Sequence, residues 1–70
     1  MSNLTKLPTL NTFVIYDTAG TVLGFVEHFD GERACSKAEY ELRQDVLIWN
    51  TWENATPAER TEAKRLGNIT

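Results

Sequence analysis

The chain has 70 residues, of which 41% are hydrophobic, 24% charged and 10% aromatic, and its formal net charge is −3. That composition excludes a predominantly disordered chain, the length holds a single small domain, and the acidic balance excludes nucleic-acid binding driven by bulk electrostatics. Cys35 is the only cysteine and His28 the only histidine, which excludes an internal disulfide and an ordinary structural zinc site; since a core of this size supplies only about 3–5 kcal/mol, efficient packing or a partner must hold the chain folded.

Residues 1–11 lack a repeating pattern and contain Pro8, so they read as an irregular amino-terminal arm ahead of one domain at 12–70. The stretch from Met1 to Pro8 carries one positive charge and no apolar run. Neither a secretory leader nor a spanning segment is expected there, and a reducing cytoplasm is the expected location. The sequons at Asn3, Asn54 and Asn68 are therefore read as chance matches.

Thr12-Phe13-Val14-Ile15-Tyr16 is rich in β-branched and aromatic residues, and a second such run covers Thr21 to Phe29. Asp17-Thr18-Ala19-Gly20 between them predicts a tight hairpin: aspartate suits the first position of a type I turn, and glycine supplies the left-handed residue of the bulge that follows. If Asp17 faces Thr21, Phe13, Ile15, Leu23 and Phe25 share one face, while Val14, Tyr16, Val22, Gly24 and Val26 share the other. Both faces are apolar, which a hairpin covering a single helix does not need.

Helix formers dominate from Glu32 to Glu53. The spacing predicts one long helix starting near Gly31 to Arg33, capped by Asp30 or by Ser36 with Glu39. Cys35, Ala38, Leu42, Val46, Trp49 and Trp52 would form its apolar stripe, and Tyr40, Gln44, Leu47, Ile48 and Thr51 a second row on another side. Thr56-Pro57-Ala58-Glu59 is a strong start signal, with a threonine cap, proline in the first turn and glutamate three residues after the cap. A second helix should run from Pro57 to Leu66 and close at Gly67, with Lys64 and Arg65 near its end matching the helix dipole. The expected fold class is α+β: a β-hairpin packed on a long amphipathic helix, followed by a short capped carboxy-terminal helix.

Candidate chemistry is sparse. His28 and Cys35 superficially offer a nucleophile pair, but a cysteine on an apolar helix stripe is ordinarily a small core residue, and a histidine at a strand end a polar contact. No phosphate loop is present, and Glu39, Glu41 and Asp45 point to different sides of the expected helix rather than pairing for acid and base work. A chain this short also lacks walls for a substrate pocket. No enzymatic activity, cofactor, metal or small-molecule substrate is expected.

The charge is unevenly placed. Residues 27–45 hold Glu27, Asp30, Glu32, Glu39, Glu41 and Asp45 against Arg33, Lys37 and Arg43, so this segment accounts for the whole net charge of −3. The apolar surplus on the hairpin and on the helix's second row then assigns Val14, Tyr16, Val22, Val26, Tyr40, Leu47 and Ile48 as partner-binding residues. Glu32, Glu39, Glu41 and Asp45 form an acidic rim suited to a basic partner. The expected function is a small protein–protein interaction module, of the inhibitor or adaptor kind that viruses and mobile elements direct at host proteins. Its partner is another protein or a second copy in a homodimer. The alternative is a small dimeric nucleic-acid-associated regulator, in which Arg60, Lys64 and Arg65 supply cations and Trp49 and Trp52 stack on bases. A competing use of the apolar surplus is internal: Leu4, Leu7 and Leu10 could fold back as a third strand or lid.

Overall fold

The computed structural model describes residues 9–70. In chain order it has strand β1 (Asn11–Tyr16), strand β2 (Val22–His28), helix α1 (Gly31–Leu42), strand β3 (Ile48–Thr51) and helix α2 (Pro57–Leu66). The strands form one antiparallel sheet in the order β2-β1-β3. The architecture is α+β, as expected, with a third strand that the periodicity reading missed.

The hairpin turn forms for the reasons its residues suggest. Asp17 donates its backbone N–H to the Thr21 carbonyl at 2.8 Å, its side chain accepts from the N–H groups of Ala19 and Thr21, and Gly20 takes φ of +88°. Further along, Ile15 pairs with Gly24 but Tyr16 with Val22, so Leu23 is an extra residue in a β-bulge. A bulge inverts the alternation beyond it. Phe25 therefore lies opposite Val14 and Val26 opposite Phe13, exchanging the sides that uninterrupted pairing would give them.

Each sheet face has its own core. Phe13, Ile15 and Val26 pack with Ala34, Cys35 and Ala38 of α1, together with Val46 and Ile69. On the opposite face, Val14 and Tyr16 pack with Ala55 and with Ala63 of α2, flanked by Val22, Phe25 and Trp52. Two apolar hairpin faces are thus explained within one chain: a helix lies on each. The outer face is covered by α2, contrary to the expectation that a partner or the amino-terminal arm would be needed. The proposed cover by Leu4 and Leu7 lies outside the described residues, and Leu10 is 58% exposed.

The expected long helix is cut short. Asp30 caps α1, accepting from the Arg33 N–H at 2.8 Å, and the helix closes at Arg43, whose φ of 57° and ψ of 43° are left-handed. Non-glycine residues enter this region at some cost, so tertiary contacts hold the reversal. Glu39 supplies one, accepting the Val46 N–H at 3.1 Å. The chain then turns back along the free edge of β1, pairing Ile48 with Tyr16 and Trp49 with Ile15. The residues from Val46 to Trp52, all but Asn50 apolar or β-compatible, fit either periodicity; an unsatisfied strand edge beside them selects the extended form, because pairing satisfies the facing backbone groups of both strands.

Helix α2 spans the expected residues with the expected cap. Thr56 accepts from the Glu59 N–H at 3.1 Å while the Glu59 carboxylate accepts from the Thr56 N–H at 2.9 Å. Beyond the helix, the Phe25 N–H donates to the Gly67 carbonyl at 3.2 Å and the Ile69 N–H to the Phe25 carbonyl at 2.8 Å. The carboxy-terminal residues thus form a parallel bridge on the outer side of β2.

Candidate functional site

The expected partner-binding residues separate into interior and surface. Val14 and Val26 have no exposure and Tyr16 retains 3%, while Val22 is half-buried under α2. The hairpin half of the expected interaction surface is core. Tyr40, Leu47 and Ile48 remain outside, at 81%, 74% and 40% exposure, but for a different reason than the second row of a long helix. Tyr40 stands on α1, whereas Leu47 and Ile48 belong to the approach to β3 and to β3 itself.

Beside β3 an open groove of about 310 Å³ runs between that strand and α1, lined by Glu32, Cys35, Ser36, Glu39, Val46, Leu47 and Trp49. Its helical wall follows from spacing, since Glu32, Ser36 and Glu39 are one and two turns apart and share one side of α1. Its other wall comes from strand alternation. Trp49 lies opposite Ile15 and turns toward α1, its ring meeting Phe13 edge-on at 5.4 Å; Ile48 lies opposite Tyr16 and turns to the α2 side. Leu47, at the same parity as Trp49, joins it in the groove. Of the expected acidic rim, Glu32 and Glu39 line the groove, while Glu41 and Asp45 are exposed elsewhere along the same segment. Trp49 and Ser36 are groove residues that the helical reading did not assign. The continuous apolar run from Val46 to Trp49, followed by Thr51 and Trp52, was the available signal.

The groove carries no reactive group poised for chemistry. Cys35 lies in its floor and is buried; desolvation, then the neighbouring Glu39 carboxylate, push its thiol above the ordinary value, which favours the unreactive protonated form. His28 is occupied locally, its Nδ1 accepting the Phe29 N–H at 2.9 Å. Among the described residues, no group of three or more histidine, cysteine, aspartate or glutamate side chains is arranged to hold a metal ion. No helix among them is long and apolar enough to cross a membrane.

The constellation behind the nucleic-acid alternative is not assembled. Trp49 turns toward α1, whereas Trp52 sits on the α2 side, edge-on to Phe25 at 6.1 Å. The three cations are engaged within the chain: Arg60 donates to the carbonyls of Trp52 and Ala55, Lys64 stands 5.9 Å from the Trp52 ring, and Arg65 pairs with Glu62. Compared with known protein families, curated proteins and solved structures, the chain matches none.

Proposed function

We propose that this chain is a non-enzymatic protein-interaction module, an inhibitor or adaptor that engages another protein through the surface around β3. The observation that carries this reading is the contrast between a sheet covered by helices on both faces and an edge that keeps Leu47, Ile48 and Trp49 at 74%, 40% and 37% exposure. Leu47 and Trp49 lie together on the α1 side of this edge with Ile48 beside them on the other face, and large apolar residues clustered at an open edge are the ordinary signature of a binding surface. The acidic side chains of Glu32 and Glu39 beside them support a partner with complementary positive charge.

The test is affinity capture from the native cell with the parent chain and with Leu47→Asp. Leu47 is too exposed for the substitution to disturb the core, which circular dichroism checks directly. A protein retained by the parent and lost by the variant supports the reading. Capture that is unchanged in Leu47→Asp removes this surface from it.

A further inference from the structure

We infer that the outer edge of β3 is a strand-addition site for an extended, lysine- or arginine-bearing segment of a partner protein, an inference that rests on the protein-binding reading of the same surface. The backbone parity of the sheet carries it. Trp52 donates its N–H to the Thr12 carbonyl at 2.9 Å, and with the observed register this makes Thr12–Trp52, Val14–Asn50 and Tyr16–Ile48 the hydrogen-bonded pairs. Trp49 and Thr51 consequently point their backbone groups away from β1. The Thr51 carbonyl accepts from Asn54 and Ala55, but the N–H and carbonyl of Trp49 have no partner among the described residues.

The opposite edge shows what the sheet does with such groups. By the same parity the outward groups of β2 are those of Phe25 and Glu27, and both groups of Phe25 are taken by the chain's own Gly67 and Ile69. The β2 edge is bridged internally at its centre and carries the charged Glu27 at its next outward position, whereas the centre of β3 is open among the described residues. An open edge invites pairing, and soluble proteins ordinarily blunt it with proline, lysine or a bulge. The strand Ile-Trp-Asn-Thr has none of these, and its pairing with β1 is regular.

The groove selects the occupant. A residue pairing directly with Trp49 turns its side chain toward α1, into the space whose floor is Cys35, Val46 and Trp49 and whose charged walls are Glu32 and Glu39. The Glu39 carboxylate already accepts one backbone N–H through Oε2, which leaves Oε1 to meet a cation. A lysine or arginine fits both features, laying its aliphatic stem on the indole and carrying its charge to the carboxylates. Among the described residues no basic side chain lines the groove. A second copy added at this edge would set one acidic groove beside another, so charge favours a cationic segment over self-pairing.

The experiment selects binders from a display library of short random peptides on the full chain, then remakes the best one with its alternate, edge-facing amides N-methylated. The expected binders lack proline and repeat lysine or arginine at alternate positions. N-methylation on the pairing edge, and Glu32→Gln combined with Glu39→Gln, should each weaken binding about tenfold or more, and the bound peptide should slow hydrogen exchange at the Trp49 amide. Thr51→Pro, which blocks the edge while leaving the apolar patch in place, should act like N-methylation; the peptide-side change gives the same answer should that variant not fold. Binders indifferent to N-methylation, acidic binders, or no binders at all overturn the inference. Binders that ignore N-methylation yet are lost with Leu47→Asp overturn strand addition alone and leave the apolar surface standing as a binding site. A free chain that already protects the Trp49 amide also overturns it: at twice the protomer mass a second copy holds the edge, and at the protomer mass the chain itself does.

Discussion

The indole of Trp49 lies directly against the backbone of Gly31, so close that a Cβ built on that glycine would stand 2.2 Å from the ring. The first residue of α1 and the middle of β3 are thereby in contact, and Phe13 meets the same ring edge-on. Position 31 has no room for a methyl group because β3 approaches there.

Gly31→Ala should accordingly destabilise the chain by about 1–3 kcal/mol through overpacking. Urea denaturation followed by tryptophan fluorescence measures it. The emission of the folded variant should also shift, since Trp49 must move outward. An unchanged midpoint with an unchanged spectrum would mean that the contact is not made in solution.

Tyr16 bridges the sheet to α2, its hydroxyl donating to Glu59 Oε1 at 3.0 Å and accepting from Asn50 Nδ2 at 3.1 Å. Tyr16→Phe keeps the ring and removes both bonds, so a loss of about 1–2 kcal/mol is expected. Thermal or chemical denaturation of the parent and variant reads it, and a loss below experimental error would show that water replaces the bridge at no cost.

The same bridge gives stability a dependence on pH with opposite signs at its two ends. The Glu59 carboxyl is held below its ordinary value, first by the Thr56 backbone N–H and then by the Tyr16 hydroxyl. Its contribution is complete above the unfolded-state value of 4.5 and is lost as pH falls through the lower folded-state value. The Tyr16 hydroxyl is raised, chiefly by burial. Its contribution is complete below the unfolded-state value of 10.0 and is lost as pH rises through the folded-state value. Denaturation midpoints across the two ranges should fall at both ends for the parent. Tyr16→Phe should diminish the alkaline component, leaving the part contributed by the raised Cys35 thiol, and flatten the acid one.

Gly24 has φ of +145°, and a Cβ there would stand 2.7 Å from the Gly67 carbonyl oxygen. Gly24→Ala is expected to cost about 1–3 kcal/mol and to push the carboxy-terminal segment off β2. Hydrogen exchange at the Phe25 and Ile69 amides is the direct measurement: both should accelerate, while amides in the β1–β3 pairing remain protected. Equal acceleration throughout would indicate global loosening instead.

Several elements were legible because their signals are local. Asp17 and Gly20 specify the hairpin turn, and Thr56, Pro57 and Glu59 specify the start of α2, through bonds that span only a few residues. The candidate site was legible only in part. Leu47, Ile48, Glu32 and Glu39 were identified as surface groups, but Trp49 was assigned to a helix stripe and the four hairpin residues to an outer surface. Neither α2's position over Val14 and Tyr16 nor the bulge that exchanges Phe25 and Val26 leaves a local mark strong enough to read.

The sequence by itself determined where the hairpin turns, where the second helix begins and ends, and that apolar side chains populate both faces of the ribbon; for the first helix it offered two caps, of which the structure uses Asp30. Only the tertiary structure decided that the chain from Val46 to Trp52 is extended and that α2 closes the outer face. The reason is physical: local bonds and caps depend on neighbours in sequence, whereas a short apolar run suits helix and strand alike until a distant strand offers it an edge. Here that edge belongs to β1, which lies more than thirty residues earlier at the paired positions Tyr16 and Ile48.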